Sequence, residues 1–347
     1  MKAAPASLLP SAAPLPEMVR KFFDPIRGPL AELEELLKGR CEQFDPGVAA
    51  CVSYVSANPG KRLRPALVFY AGAAVSGRPL ADQSEELLKA GLIVELVHIA
   101  TLVHDDILDG ATFRRNRLTA AAKWGPEISV LLGDCLFAHA LTLAAEYPTP
   151  FVCRRVSEAT NVVCSGEILQ TQRRFDLALR RPDYIKMIEM KTGALFGLAC
   201  ELGGFLRGAE PRRQDELREF GNLLGIAYQI YDDIVDLVGD ETETGKSLGT
   251  DLQKGKLTLP VLLLLEQIEN GEHQVVSSLL LNEHGNARAM LLESLHRHGA
   301  VGRAAAQGME YVDAAEEKLA GLGENEGSGT LRSILELLRL KLAAFRA

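Results

Sequence analysis

Two short clusters of carboxylates with the same spacing are the first feature of this sequence that could carry chemistry. Each cluster reads Asp-Asp-x-x-Asp, at residues 105–109 and 232–236. On a helix, the first and last aspartates of such a cluster lie on one face, one turn apart. Like charges at that spacing repel each other, so each cluster costs stability unless a cation joins its carboxylates. One cluster could be a solvated acidic helix end, but two with the same spacing, each following a long apolar segment, favour a bound cation.

The ligand chemistry indicates which cation would bind. The candidate ligands are the six aspartates of the clusters: Asp105, Asp106, Asp109, Asp232, Asp233 and Asp236. Carboxylate oxygens suit a hard cation, and Mg²⁺ is the usual one where phosphates share the site. His104 precedes the first cluster, but no second histidine has ligand spacing to it, so we interpret it as a polar residue at a helix end. The clusters therefore predict a magnesium and phosphate site.

Basic side chains that could bind phosphate surround the two clusters. They are the cations of the segment Gly60–Pro65 (GKRLRP), Arg114 and Arg115 after the first cluster, Lys191 before Thr192 in an otherwise apolar helix, and Lys246, Lys254 and Lys256 after the second cluster. Arginine presents a planar fork to phosphate oxygens, and lysine adds a mobile point charge. Any one of them could be an ordinary surface charge, but their grouping favours a diphosphate site. Neither GxxxxGK[ST] nor a GxGxxG after a strand occurs, so a nucleotide-dependent reaction is not expected.

Helical periodicity dominates the chain from about residue 17. Apolar residues recur at i, i+3, i+4 and i+7 in the segments 84–109, 128–146, 151–178, 183–206 and 213–239. Sustained apolar and polar alternation, the pattern of a strand, is absent. The segments 84–109 and 213–239 are long and nearly uncharged toward their C-terminal ends, as expected of the central helices of a bundle. The sequence predicts an all-α fold, a single-domain bundle of long helices around a central cavity over residues 17–347, after a flexible tail of residues 1–16.

Composition excludes several classes of protein. The chain has 347 residues, a formal net charge of −8 and a hydrophobic content of 47%. The acidic balance argues against broad nucleic-acid binding, and the hydrophobic content argues against disorder. No uninterrupted apolar run approaches the roughly 18 residues that span a bilayer, and the first residues lack the apolar core of a signal peptide. Six cysteines without CxxC pairing favour neither zinc nor disulfides. A reduced, cytoplasmic protein without a transmembrane segment or a nucleic-acid partner is expected.

Taken together, these motifs resemble those of the all-trans polyprenyl diphosphate synthases, within the isoprenyl diphosphate synthase family. The resemblance runs from about residue 55 to 265 and includes both aspartate motifs, GKRLRP, the arginine pair Arg114 and Arg115, the pair Lys191 and Thr192, and Gln229, Lys246 and Lys256 at the family's spacing from the second cluster. Two positions depart from the family pattern, with Asn116 in place of Gly and Glu167 in place of Gln. Neither position supplies a primary diphosphate ligand in the family.

The resemblance implies a reaction and a role for each matched residue. An allylic diphosphate such as farnesyl diphosphate is joined head-to-tail and in trans to isopentenyl diphosphate, with release of diphosphate. The aspartates would hold three Mg²⁺ ions per active site, with Mn²⁺ as a substitute. Arg114, Lys191, Lys246 and Lys256 would bind the allylic diphosphate, Thr192 and Gln229 would orient dipoles toward the allylic cation, and Lys61, Arg64, His98 and Arg115 would bind isopentenyl diphosphate. The family also implies a homodimer.

Residues along the 84–109 helix indicate the length of the product. A growing tail that is tethered by its diphosphate at Asp105 runs back along this helix past Thr101 and Ala100. Short-chain members of the family commonly carry a bulky aromatic residue at this level, whereas both residues are small here. The sequence therefore predicts a medium-to-long-chain product, beyond fifteen carbons. Phe137 and Leu141 are the expected next obstacle, although they could simply pack the core.

Several alternatives stay open. A short-chain farnesyl or geranylgeranyl diphosphate synthase would share every motif. A terpene cyclase would ionise the same substrates with one aspartate cluster, but it would replace the second cluster and have no use for the cations of residues 60–65. A non-catalytic subunit of a heteromeric synthase would have lost aspartates or arginines, and none is lost here. A di-iron carboxylate bundle would need Glu-x-x-His pairs, which this sequence lacks.

Overall fold

The computed structural model describes residues 20, 22–57, 60–81, 84–239, 249–281 and 287–346. The predicted flexible tail, residues 1–16, and the predicted phosphate ligand Lys246 lie outside the described residues.

Helices make up nearly all of the described structure, so the all-α prediction is confirmed. A short 3₁₀ turn, Asp24–Ile26, precedes α1 (Arg27–Cys41), α2 (Pro46–Ser56), α3 (Leu63–Ser76) and α4 (Glu85–Leu108). After a β-hairpin come α5 (Ala120–Trp124), α6 (Pro126–Ala145), α7 (Pro150–Gln172) and α8 (Arg181–Ile188). A π-helical turn, Glu189–Gly193, joins α8 to α9 (Ala194–Leu206), which is followed by α10 (Pro211–Val238) and α11 (Thr250–Gln253). The described chain ends with α12 (Leu259–Leu265), α13 (Asn270–Leu281), α14 (Ala287–Arg297), α15 (Ala300–Lys318) and α16 (Glu326–Ala343).

The hairpin departs from the all-helical prediction. Strands β1 (Phe113–Arg114) and β2 (Arg117–Leu118) pair antiparallel around a two-residue turn. Arg115 and Asn116 in this turn have φ of 50° and 61°, as a type I′ turn requires. Asparagine tolerates this left-handed conformation better than most residues, which explains how Asn116 can replace the family's glycine. The hairpin is not predicted from the sequence because two-residue strands are too short to show alternation.

Two central helices, α4 and α10, place the two aspartate clusters. Helix α4 packs against α3 and α6, and α10 packs against α9 and α15. The Ser84 hydroxyl caps the start of α4 by accepting from the Leu87 amide. Glycines bring the backbones of α9 and α10 together, since a Cβ atom on Gly221 would lie 2.4 Å from the Phe196 carbonyl oxygen. This close packing fixes α10, and with it the second cluster, relative to the rest of the bundle.

Two helices, α4 and α6, are long and apolar enough to cross a membrane by length and composition alone. The search for uninterrupted runs missed them because single acidic residues, Glu95 and Asp134, break the apolar stretches. In α4, 67% of the apolar stretch is buried in the bundle, as in the core helix of a globular protein, against 39% in α6. The expected absence of a membrane-spanning segment therefore stays a prediction.

Candidate active site

The first aspartate cluster lies in the last turn of α4, with Asp109 as its C-cap. Asp105 faces the π-helical turn, where its Oδ2 lies 3.6 Å from Lys191 Nζ. Asp106 is buried and accepts from Arg114, with its Oδ1 2.9 Å from Nε and 2.8 Å from Nη2. Asp106 thus anchors the β-hairpin to the end of α4, and it holds Arg114 beside the cluster.

Three cations converge on Asp109. Its Oδ2 lies 3.1 Å from Lys256 Nζ and 3.2 Å from Lys254 Nζ, and its Oδ1 accepts from Arg174 Nη2 at 2.9 Å. Burial opposes ionisation of this carboxyl, but Lys256 and Lys254 outweigh it and lower the pKa of Asp109. Asp109 is therefore ionised, and the cations around it stand within reach of a diphosphate bound at the cluster.

The pKa of Asp105 is shifted in the opposite direction to that of Asp109. Burial raises the pKa of Asp105 to about 6 against the effect of Lys191, and the carboxylates of Glu167 and Asp109 add to the rise. Lys191 in turn forms an ion pair with Glu167 and donates to Gln170 Oε1 at 3.0 Å. Negative charge is thus crowded at Asp105, as expected of a site that a divalent cation would stabilise.

In the second cluster, Asp233 is buried in a chain of hydrogen bonds. It accepts from the Tyr184 hydroxyl and from Gln229 Nε2, each at 2.7 Å, and Gln229 Oε1 accepts from the Thr192 hydroxyl at 2.7 Å. Burial raises the pKa of Asp233 well above its usual range. These bonds fix the orientation of the Gln229 amide, which links the end of α10 to the π-helical turn.

Asp236 and Asp251 connect the second cluster to the first. Asp236 accepts from the Thr250 hydroxyl at 3.1 Å and from the Asp251 amide at 3.2 Å. The Lys256 ammonium stands between the clusters, 3.1 Å from Asp109 and 3.7 Å from Asp251 Oδ1. The two clusters are thus linked through Lys256 and Asp251. A cleft beside them is lined by Asp233 of the second cluster and by Lys191 and Lys256, which contact Asp105 and Asp109 of the first. Its lining includes Gln170, Lys191, Thr192, Gln229, Asp233, Asp251 and Lys256.

A second group of cations lies between α3, α4 and the hairpin. His98 is surrounded by Arg64, Arg114, Arg115 and Arg62, and burial together with these charges lowers its pKa well below the usual range. His98 is therefore neutral. Burial lowers the pKa of Arg64 and of Arg115, and neighbouring arginines lower that of Arg115 further. Because these closely spaced cations repel each other, a bound anion would stabilise them, and the group is suited to bind an anion.

The start of the GKRLRP segment contributes to the same place. A Cβ atom on Gly60 would lie 3.0 Å from Arg115 Nη1, so this glycine leaves room for the arginine. Lys61 is exposed, and the Arg64 guanidinium lies over the Phe196 ring at 4.9 Å. The structure thus brings three predicted ligands of isopentenyl diphosphate, Arg64, His98 and Arg115, into one cluster, with Lys61 at its margin.

Several residues of the site were not predicted from the sequence: Glu167 as a partner of Lys191, Arg174 at Asp109, Tyr184 at Asp233, and Asp251. Arg174 follows the end of α7 in an arginine pair, and Asp251 shares a loop with two predicted lysines, so both carried a weak signal. Tyr184 carried none, because its role arises only when α8 packs against α10.

The donor chemistry of the cleft fits Mg²⁺. Within the described part of the chain, no group of three or more His, Cys, Asp or Glu side chains is arranged to hold a metal ion. Mg²⁺ is commonly bound through one or two carboxylates together with phosphate oxygens, and it does not require such a cage. His104 faces α6, where its Nε2 is 3.1 Å from the Val130 carbonyl oxygen, in agreement with a helix-end polar role.

The raised pKa of Asp105 predicts a measurable effect on stability. Because the folded state binds this proton more tightly than the unfolded chain does, the destabilisation by Asp105 grows as the pH rises from about 4 to about 6. Without divalent metal, we expect Asp105→Asn to stabilise the protein by about 1–3 kcal/mol at pH 7.5 and by less at pH 5. Denaturant unfolding in a chelator measures this, with the exposed Asp313→Asn as the control. Equal effects at the two pH values would contradict it.

Comparisons with known proteins agree with this site. Residues 45–295 match the family model of polyprenyl synthetases. The chain is 34% identical to heptaprenyl diphosphate synthase component 2 of Geobacillus stearothermophilus over 87% of this chain and 92% of that protein. It is 30% identical to a short chain isoprenyl diphosphate synthase of Methanothermobacter thermautotrophicus over 80% of this chain and 86% of that protein. The crystal structure of a decaprenyl diphosphate synthase from Rhodobacter capsulatus superposes with a TM-score of 0.86 at 28% identity, over 93% of this chain and 99% of that one.

The fold and the family match define a prenyltransferase of the isoprenoid synthase type. This chain belongs to the polyprenyl synthetase family, and it is a polyprenyl diphosphate synthase. The family predicted from the aspartate and cation motifs is confirmed.

Proposed function

We propose that this enzyme extends an allylic diphosphate such as farnesyl diphosphate with isopentenyl diphosphate to a medium-to-long-chain product. The observation that carries the proposal is a cleft lined by Asp233 of the second carboxylate cluster and by lysines that contact the first cluster, with a separate cation cluster beside it. The cleft suits a metal-bound diphosphate, and the cation cluster suits a diphosphate without metal. An allylic substrate needs the first kind of site because its C–O bond must ionise, whereas isopentenyl diphosphate needs only the second.

The acidic cleft is assigned to the allylic diphosphate. The six aspartates Asp105, Asp106, Asp109, Asp232, Asp233 and Asp236 would hold Mg²⁺ ions, and the bonds described above also tie Asp106 and Asp233 to neighbouring elements. Bound Mg²⁺, or Mn²⁺ as a substitute, would neutralise the charge that develops on the leaving diphosphate. Lys191 and Lys256 supply further positive charge at the cleft. Lys246 is assigned the same role from its place in the sequence, and we propose three ions per site from the family pattern.

The π-helical turn serves the allylic cation. It places Lys191 and the Thr192 hydroxyl next to one another at the cleft, and Thr192 donates to Gln229 Oε1 at 2.7 Å. The fixed Gln229 carbonyl oxygen presents partial negative charge that would stabilise the cation without capturing it. The released diphosphate can accept the final proton, so the mechanism does not require a protein base.

The cation cluster is assigned to isopentenyl diphosphate. Arg64 and Arg115 would bind its phosphate oxygens, Lys61 would close the site from the exposed side, and neutral His98 would donate or accept one hydrogen bond. Arg114, which is bound to Asp106 in the described structure, lies between this cluster and the cleft. The two substrates would thus meet with their apolar ends toward the interior of the bundle.

Separate binding sites predict separable mutations. Arg64→Ala should raise the KM for isopentenyl diphosphate by about 10–150-fold, since a lost charged hydrogen bond to phosphate costs about 1.5–3 kcal/mol. The KM for the allylic substrate should change little. Steady-state kinetics with each substrate varied in turn gives both values, and Arg212→Ala, at a surface arginine of α10, is the control. An equal loss of affinity for both substrates would refute the assignment.

Product length follows from the side chains beneath the first cluster. Ala100 is fully buried in α4 five residues before Asp105, and Thr101, four residues before it, is also small. On the facing helix α6, Gly133 lies against the His104 ring, and Phe137 follows one turn deeper with its ring 5.7 Å from His104. A tail beyond the cleft therefore meets small residues on α4 before it meets the ring of Phe137. This supports a medium-to-long product over a farnesyl or geranylgeranyl diphosphate.

A homodimer is proposed through α6. This helix is strongly apolar, but only 39% of its apolar stretch is buried within the chain. Ile128 and Leu131 are 44% and 63% exposed on it. A second copy of the chain would cover this face, so we expect a dimer by light scattering and a shift toward monomer for Leu131→Arg. A monomeric wild-type protein would contradict the proposal.

A cytoplasmic location is also proposed, supported by the free state of all six cysteines.

A further inference from the structure

Arg62 occupies the middle of the GKRLRP segment, and its side chain turns away from the exposed face on which Lys61 stands. The guanidinium is 7% exposed. Its Nη1 donates to Glu95 Oε1 at 2.6 Å, its Nε donates to Glu34 Oε1 at 2.6 Å, and its Nη2 donates to the Ser56 carbonyl oxygen at 3.1 Å. One side chain therefore binds α1, α2 and α4 together at the point where α3 begins.

The backbone of Arg62 also has an unusual conformation. Its φ of 48° is left-handed, which is uncommon for a residue other than glycine and persists only where the surroundings fix it. With this conformation at the N-cap of α3, Arg62 is buried while the preceding Lys61 remains exposed. Arg64, two residues on, lies over the Phe196 ring. The placement of Lys61 and Arg64 thus depends on where Arg62 is anchored.

Glu95 lies directly beneath the cation cluster. It is 3% exposed in α4 and precedes His98 by three residues, on the same face of the helix. Its carboxylate attracts Arg64 and Arg115, and for both it partly offsets the effect of burial on the pKa. Glu95 thus contacts Arg62 directly and is close enough to act on the two arginines assigned to the substrate.

We propose that the Arg62–Glu95 pair, supported by Glu34, is a positioning device for the isopentenyl diphosphate site. It does not touch the substrate. It fixes the turn that presents Lys61 and Arg64, and it holds them at the spacing that a diphosphate needs. The inference rests on the proposed assignment of Lys61 and Arg64 to isopentenyl diphosphate.

Two substitutions distinguish a positioning role of the Arg62–Glu95 pair from an effect of its charge alone. Arg62→Lys keeps the charge but cannot span Glu34, Glu95 and Ser56 with one planar fork. Glu95→Gln removes a negative charge beneath an anion site, so charge alone would lower the KM for isopentenyl diphosphate. If the pair positions the loop, both variants should raise that KM by about tenfold or more, because small misplacements of binding groups are costly. The KM for the allylic diphosphate should stay within about twofold.

Arg155 is a matched control. Its guanidinium forms an ion pair with the buried Glu201 of α9, with Nη2 2.9 Å from Oε2, and this pair lies away from the cleft. Arg155→Lys should lower thermal stability and leave both KM values unchanged. An unchanged or lower KM for isopentenyl diphosphate in folded Glu95→Gln would overturn the proposal, as would equal changes for both substrates. If Arg62→Lys does not fold, the KM for isopentenyl diphosphate of the nearly isosteric Glu95→Gln variant is sufficient to test the proposal. If Arg64→Ala leaves the KM for isopentenyl diphosphate unchanged, the proposed function of the cluster fails instead.

Discussion

Asp105→Ala and Asp232→Ala should each lower kcat by about 10³-fold or more while the helical fold is retained. Each change removes a carboxylate from a site where charge on the leaving diphosphate must be neutralised, and such electrostatic contributions are among the largest in catalysis. Asp105 is crowded by Glu167 and Asp109, so its loss should not destabilise the protein. Single-turnover assays in saturating Mg²⁺, with circular dichroism of each variant, measure both effects.

A surface aspartate provides the control for these two variants. Asp313 on α15 pairs with Arg339 and is 64% exposed, so Asp313→Ala should keep the wild-type rate. The activity of the wild-type protein should also disappear in a chelator and return with Mg²⁺. Near-normal turnover of either cluster variant would mean that the aspartates are ordinary helix ends and that the proposed mechanism is wrong.

Ala100→Phe should shorten the product toward fifteen or twenty carbons. The methyl group of Ala100 is fully buried five residues before Asp105, so a phenyl ring there would occupy the proposed path of the tail. Elongation is otherwise favoured at about 0.8 kcal/mol for each CH₂ group that is buried, until a side chain blocks the path. Chromatography of the dephosphorylated products gives the chain-length distribution.

Phe137→Ala tests the same path in the opposite direction and should lengthen the product. Phe137 is partly buried beside His104, so its removal opens space along the proposed path of the tail. Ala343→Phe, at an exposed position near the end of α16, is the control for adding a ring. If Ala100→Phe leaves the distribution unchanged in a folded, active enzyme, the tail does not follow this path.

The features that could be predicted from the sequence are those that depend on local spacing. The helical period located α4, α6 and α10 to within a few residues, because their apolar faces pack against the core. The predicted segment 183–206 is divided in the structure into α8, the π-helical turn and α9. Repetition of one aspartate pattern at the ends of two apolar helices identified the acidic cleft. Small residues before Asp105 could also be read directly, since position along a single helix is a local property.

Other features depend on contacts between distant segments, and the sequence does not show them. Asp251 joins the cleft only because α11 packs against the end of α10, where the Asp251 amide donates to Asp236, and Tyr184 reaches Asp233 only through the packing of α8 on α10. Arg62 looked like one more phosphate ligand within a run of cations, until its buried partners showed that it faces the core. The distinction between Asp105, which borders the cleft, and buried Asp106 likewise needs the tertiary structure.

The most direct test of the account is a product assay of the wild-type protein with Mg²⁺, farnesyl diphosphate and isopentenyl diphosphate. The account predicts that one diphosphate is released for each isopentenyl unit consumed, only when divalent metal is present, and that linear all-trans products longer than twenty carbons accumulate. A cyclised hydrocarbon, no consumption of isopentenyl diphosphate, or a product that stops at twenty carbons would contradict it.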